Sequence, residues 1–409
     1  MTADALIADL VADLDVRLAD ADAALARDYP GERPGRQPVH TLYVPADRYD
    51  AGLVARCGAE ALAVLGQHAA AFAELVGDDD LVARVRAKLA TEPVEDLRVD
   101  FEDGYLGRSD AVEDADVVRA ATALAESPKA APFGGIRIKS FDPATRARGL
   151  RTLTSYVGTL ADAGVDLTDW VVTLPKVTSV DQVAAMVHVC RTLEQQLGLG
   201  DRVLRFEVQV ETPQSILGSD GTALVARMVH AADGRVTALH YGTYDYSAFC
   251  GISAEQQSLA HPVADHAKLV MQAAVAGTGV RLSDGSTNIL PVGGADEVRA
   301  AWANHLALVR RSLEHGYYQG WDLHPAQLPT RYAATYAFYR AGLARATDRL
   351  SAYLGDVEGG GIADEPATAR ALASYLLRGV DCGAVDPVEV TDVETLRALA
   401  AGRPVGRTS

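Results

Sequence analysis

A chain of 409 residues with 48% hydrophobic content is long enough for one large domain with appendages, and too apolar for disorder. Its formal net charge of −17 argues against a nucleic-acid partner, which demands a basic face, and against docking on anionic lipid. No stretch approaches the roughly 18 uninterrupted apolar residues of a membrane span. Cys57, Cys190, Cys250 and Cys382 form no CxxC pair, so free thiols and a reducing cytoplasm are expected.

The N-terminal stretch is acidic, unlike a secretory leader. Leu6, Leu10, Leu14 and Leu18 recur at helical spacing, which predicts an amphipathic helix packed on the body. The loop Pro30–Pro38 sets residues 1–38 apart. Beyond it, β-like runs alternate with stretches of helical period. The predicted strands are His40–Val44, Leu97–Phe101, Ile136–Lys139, Trp170–Leu174, Leu204–Val210, Val236–Tyr241, Val280–Leu282 with Ile289–Val292, and Tyr317–Leu323. Helical patterns fall near 50–90, 110–126, 144–163, 179–197, 214–232, 262–277, 295–315 and 326–350.

Alternating units of this kind, with apolar strands, predict an α/β fold: a (β/α)8 TIM barrel over residues 39–350. A doubly wound open sheet is the runner-up. It usually carries a glycine-rich phosphate loop after its first strand, where this chain has VPADRYD. Residues 351–409 form a C-terminal extension: a glycine-rich connector or lid over Gly355–Asp364, a helix over Glu365–Arg378, and a small cap after Asp386.

In a parallel barrel the active site forms at the carboxyl ends of the strands. Those ends carry Glu102-Asp103, Arg137 with Lys139, Lys176, Glu211, Asp245, and Asp322-x-His324. Any one acid could be a helix cap or half of a surface pair. A whole set of converging carboxylates repels itself unless a hard cation sits among them. Glu211 and Asp245, on adjacent strands, are the expected magnesium ligands. Arg137 offers a planar fork for a carboxylate or enolate oxygen, or pairs with Glu102 or Asp103. Lys139 and Lys176 are two of only five lysines, and each could balance the acids or act as a Schiff-base nucleophile. His324 could cap a turn, pack, or transfer a proton.

The stretches VDFEDGY, GIRIKS, VVTLPKV, EVQVETP, YGTYDY and LHPAQ, in this order, resemble the citrate lyase beta subunit-like and malyl-CoA lyase-like aldolases. These belong to the phosphoenolpyruvate/pyruvate-type barrels, and DFED and YDY are also similar to stretches of malate synthases. The resemblance spans about His40 to Gln327. It implies a Mg2+ (or Mn2+) ion on Glu211 and Asp245, and Arg137 on the substrate carboxylate or developing enolate. Glu102 and Asp103 would hold water on the metal and orient the arginine; from their place at the strand ends, apart from the resemblance, Lys139, Lys176 and His324 are expected to bind substrate. A C-terminal segment resembling Gly360–Pro366 closes over the neighbouring subunit's site in such relatives, which implies a proton-transfer role for Asp364 and a homo-oligomer, trimer or hexamer. Lys139 stands where those relatives usually have the asparagine of an RxN motif.

The reading is a cytoplasmic, magnesium-dependent carbon–carbon lyase acting on a hydroxy acid or its CoA thioester. Three alternatives stand beside it: a malate-synthase-like condensation of acyl-CoA with glyoxylate, a lysine Schiff-base aldolase, and a non-catalytic subunit.

Overall fold

The computed structural model describes residues 2–355, 365–403 and 405. Eight parallel strands run in the order β1 (His40–Pro45), β2 (Asp96–Asp100), β3 (Phe133–Arg137), β4 (Trp170–Leu174), β5 (Arg205–Val210), β6 (Val236–Tyr241), β7 (Arg281–Ser283) and β8 (Gly320–Asp322). Each pairs with its sequence neighbour, and β1 also pairs with β8. A parallel bridge between Ser283 and Gln319, with the Asp284 N–H donating to the Gln319 carbonyl at 2.8 Å, joins β7 to β8 and closes the ring. The expected (β/α)8 barrel is the fold.

The strands form where Val, Ile, Leu and Phe face the surrounding helices. Ile136, Val172, Phe206, Val208 and Leu239 are all buried in one continuous core. At Gly135 a Cβ would lie 2.0 Å from the Val171 carbonyl oxygen, so only glycine allows β3 and β4 to pair there. Inward-facing residues follow the strand period of two. On β2 they are Asp96, Arg98 and Asp100; on β5, Arg205, Glu207 and Gln209. The interior is therefore charged at mid-height. The fully buried Arg98 lies 2.8 Å from Asp96 and 2.5 Å from Glu207, and Glu207 also lies 2.5 Å from His240 Nε2. Trp321 Nε1 donates to His240 Nδ1 at 2.8 Å, which fixes the imidazole.

Several boundaries differ from expectation. The pattern near 50–90 is three helices, Leu53–Gln67, Ala69–Val76 and Asp79–Thr91, broken by His68 and by Gly77 at φ 70°. The pattern near 214–232 splits into Pro213–Ile216 and Leu224–Ala231 around a turn containing Gly221 at φ 78°. Ile289–Val292 is not a strand, and both of those side chains are exposed. Helix Ala3–Asp28 forms as predicted but buries none of its residues; Leu6, Leu10, Leu14 and Leu18 face solvent. The expectation that it packs on the body is not met.

Helix Leu328–Leu354 continues past residue 350 and packs with Pro366–Asp381 and Val393–Ala400 around Ala346, Leu350, Ala373, Leu376 and Leu396. The cysteines are free, with Cys57, Cys190 and Cys382 buried. Among the described residues no helix is long and apolar enough to cross a membrane.

Candidate active site

The last residues of β2 and β3, Asp100 and Arg137, are register partners, so their side chains meet at the carboxyl-terminal mouth of the barrel. Arg137 Nε and Nη2 donate to the two Asp100 oxygens at 2.7 and 2.6 Å, a bidentate fork that fixes the guanidinium plane. Its Nη1 lies 3.3 Å from Glu102 and 4.0 Å from Asp103. The guanidinium carbon sits 4.9 Å from the Tyr43 ring centre and 5.9 Å from that of Trp321, so aromatic faces complete the clamp. The sequence suggested Glu102 or Asp103 as the arginine's partner. Both lie at ion-pair distance, and Asp100, the residue opposite in the ladder, adds the bidentate contact.

Lys176 follows β4 and adopts a left-handed backbone at φ 53°, uncommon for a residue with a side chain. Its ammonium lies 2.5 Å from Glu102, 2.9 Å from Asp103 and 3.1 Å from Asp245. Its backbone N–H donates to Glu211 Oε1 at 2.7 Å. One residue thus ties together acids following β2, β5 and β6. Glu211 Oε2 accepts from Gln209 Nε2 at 2.8 Å. Across from it, a Cβ on Gly242 would lie 2.4 Å from the Glu211 Cβ, so glycine is what leaves room for this carboxylate. Asp245 stands in the first turn of helix Thr243–Phe249. Its side chain is 38% exposed while Glu211 is 2% exposed, so one acid faces the mouth and the other lies beneath it.

The electrostatics follow from this crowding. Burial raises the proton affinity of Glu211 to a pKa of about 8; Lys176 and Arg137 oppose that, and Glu102 and Asp245 reinforce it. Burial also pushes Glu102 up to about 7, against the pull of Arg137 and Lys176. For Lys176, burial alone would favour the neutral amine, but Glu211, Glu102 and Asp103 outweigh it and its pKa is raised. The ammonium stays charged, and Glu102 titrates near neutrality.

The donor set suits a hard cation. It is all oxygen, and Asp100, Glu102, Asp103, Glu211 and Asp245 outnumber Arg137 and Lys176. Glu211 is proton-hungry chiefly because it is buried, with Lys176 and Arg137 acting against that and Glu102 and Asp245 with it. Among the described residues no three His, Cys, Asp or Glu side chains stand grouped as a ready-made cage. A site with two protein carboxylates, completed by water and substrate oxygens, is the kind the residues fit.

Lys139 and His324 engage other partners in this structure. β3 ends at Arg137, so the alternation that would turn Lys139 inward stops, and its ammonium binds the Phe101 carbonyl at 2.7 Å and Glu113 at 2.6 Å. That places it against the helix layer. His324 accepts from the Ala326 N–H at 3.1 Å, capping its own turn, with Nε2 3.5 Å from Glu60. Asp364 lies outside the described residues. The sequence reading missed the clamp roles of Asp100, Tyr43 and Trp321, and the Gln209 and Gly242 supports of Glu211. The period of two was the available signal: Asp100 stands two residues from Arg98, and Gln209 two from Glu211.

Fold and site together define a (β/α)8 barrel with an acid-rich carboxyl-terminal mouth braced by an arginine and a lysine. The chain belongs to the family described as a domain of unknown function (DUF6986), whose model matches residues 18–403. No curated protein sequence matches it. Among solved structures, Haloferax volcanii malate synthase, native at 3 mM glyoxylate, aligns over 92% of this chain and 100% of its own at 12% identity and a TM-score of 0.51. The citrate lyase beta subunit from M. tuberculosis, complexed with oxaloacetate and magnesium, aligns over 73% of this chain and 96% of its own at 20% identity and a TM-score of 0.43. A HpcH/HpaI aldolase/citrate lyase family protein from Burkholderia cenocepacia aligns over 76% and 96% at 17% identity and a TM-score of 0.42. These are the families the motifs resemble. At 12% identity the likeness to the malate synthase is one of fold alone.

Proposed function

We propose that this chain is a magnesium-dependent enzyme that breaks a carbon–carbon bond next to a carbonyl, converting a hydroxy acid or its CoA thioester into an oxo acid or acyl product by way of an enolate. The observation that carries the reading is Glu211, buried yet surrounded by further carboxylates, with Asp245 reached through the same lysine. Mg2+ or Mn2+ held by these two acids would supply Lewis-acid stabilisation of negative charge on the oxygens of a 2-oxo acid.

The chain's own residues supply the rest. Asp100 and the rings of Tyr43 and Trp321 hold the Arg137 plane fixed, so Nη1 meets a substrate carboxylate or enolate oxygen without reorganising. Glu102, titrating near neutrality between Nη1 and the Lys176 ammonium, is placed to hold or release one proton. The charged state of Lys176 weighs against the Schiff-base alternative, which needs a neutral amine, and Lys139 is engaged by Glu113.

Enolate chemistry can be tested before the substrate is known. With Mg2+ in D2O, the wild-type protein should exchange the methyl protons of pyruvate for deuterium, seen by NMR, and Glu211→Ala should not. Exchange that persists undiminished in EDTA or in Glu211→Ala would overturn the reading. Mass spectrometry after borohydride with pyruvate should show no adduct on Lys176 or Lys139.

A further inference from the structure

The opposite, amino-terminal mouth of the barrel holds a second charged constellation that this chemistry does not use. A cavity of about 620 Å³ opens there. Its wall is made by the first residues of strands, Phe133, Arg205 and Arg281, and by the loop carrying Arg33. Arg281 Nη2 donates to the Gly35 carbonyl at 2.9 Å, which pins that loop across the opening.

Among the described residues, Arg33, Arg205 and Arg281 have no carboxylate at ion-pair distance. The other charged residues of the lining are engaged or at the rim. Arg36 lies 2.5 Å from Glu92 and 2.6 Å from Glu95, and Arg202 lies 3.2 Å from Asp233. Asp96 and Glu207 are held by Arg98, and Asp169 is exposed. At the inner end Arg98 itself is fully buried, yet its Nε and Nη1 have no hydrogen-bond partner. The positive charge of Arg33, Arg205 and Arg281 therefore faces one concavity without an ion-pair partner among the described residues, in a protein whose overall charge is −17.

Mutual repulsion shows in the ionisation. Burial and the neighbouring Arg205 lower the pKa of Arg33; burial, Arg33 and Arg378 lower that of Arg281 to about 10. Glu32 and Asp381 act on Arg281 in the opposite sense without cancelling the effect. Guanidinium forks match phosphate oxygens two at a time, and a multiply charged anion would relieve the desolvation and the repulsion together. The cavity is larger than inorganic phosphate needs and within the range of small-molecule sites, with Phe133, Pro34 and Val171 as an apolar wall.

We propose that the amino-terminal mouth is a binding site for a small organic phosphate, gripped by Arg33, Arg205 and Arg281. It is separate from the carboxylate cluster: Arg205 and Glu211 share the inward line of β5 but stand about 20 Å apart at ~3.3 Å per residue.

Isothermal titration of the full chain in EDTA, with ATP and with pyrophosphate as probes, tests this. EDTA removes any metal bridge to the carboxylate mouth. Saturable binding of either probe is expected, weakened at least tenfold by Arg205→Ala and by Arg281→Ala. It should change less than twofold in Asp245→Asn and in Arg17→Ala on the exposed N-terminal helix. Arg205→Lys, which keeps the charge but not the fork, should fall between wild type and Arg205→Ala; circular dichroism identifies any variant that fails to fold. The proposal is overturned if neither probe binds saturably to the wild type, or if folded arginine variants bind as tightly as it does. Its failure would leave the pyruvate exchange result untouched, since the two assays read opposite ends of the barrel.

Discussion

The two mouths of this barrel are built from the same eight strands and carry opposite charge. At the carboxyl ends, Glu102, Asp103, Glu211 and Asp245 crowd around one lysine. At the amino ends, Arg33, Arg205 and Arg281 surround a cavity, with no carboxylate at ion-pair distance from them among the described residues. Between them Asp96, Arg98, Glu207 and His240 form a paired layer. β5 shows the gradient in one strand: Arg205, Glu207, Gln209 and then Glu211 point inward in succession. The lesson is that a closed barrel can hold two unneutralised charge clusters of opposite sign, provided a neutralised layer separates them.

The largest expected effects break that arrangement. Arg98→Met leaves Asp96 and Glu207 buried without their cation and should cost about 3–5 kcal/mol of stability, measured by urea unfolding. Next comes the carboxyl mouth. Asp100→Asn removes half of the fork that fixes Arg137, and a misplaced guanidinium should lower kcat/KM by about 10²-fold while the fold survives; pyruvate exchange rates provide the measurement.

The paired layer and the carboxyl mouth should also respond oppositely to pH. Glu207 has its pKa depressed to about 2: burial opposes this, but Arg98 and His240 outweigh it. Its stabilisation is complete above the unfolded value of ~4.3 and is lost as pH falls toward 2. Glu211, raised to about 8, works the other way: the metal-free protein binds its proton more tightly folded than unfolded, so stability declines as pH rises from ~4.3 through 8. Thermal unfolding in EDTA should show both flanks, and Glu211→Gln should shrink the upper one while leaving the part that Glu102, raised to about 7, contributes. The smallest effects are expected at Lys139 and His324. Lys139→Met and His324→Ala should change exchange rates less than about threefold, since these side chains serve Glu113 and a turn.

Much of the barrel was legible because helix and strand periods differ. β4 and β6 were located to the residue, as apolar runs bounded by polar turns. β7 was overextended because Ile289 and Val292 read as strand residues, although they lie in an exposed loop. The carboxyl-mouth acids were visible because each ends an apolar run. Asp100 was visible as a residue but not as the partner of Arg137, since register between β2 and β3 is a tertiary fact. β3 was expected to run to Lys139 because its end at Arg137 cannot be read from GIRIKS. The arginines of the amino-terminal mouth went unnoticed because an arginine in a loop or at the start of a strand looks like a solvated charge in an acidic chain until the barrel brings Arg33, Arg205 and Arg281 together.

The most direct test of the central claim is isothermal titration of the apo protein with Mg2+ at pH 8, alongside Glu211→Gln and Asp245→Asn. One saturable site in the wild type, lost in both variants, is the predicted result; magnesium binding that survives unchanged in either variant would contradict the account.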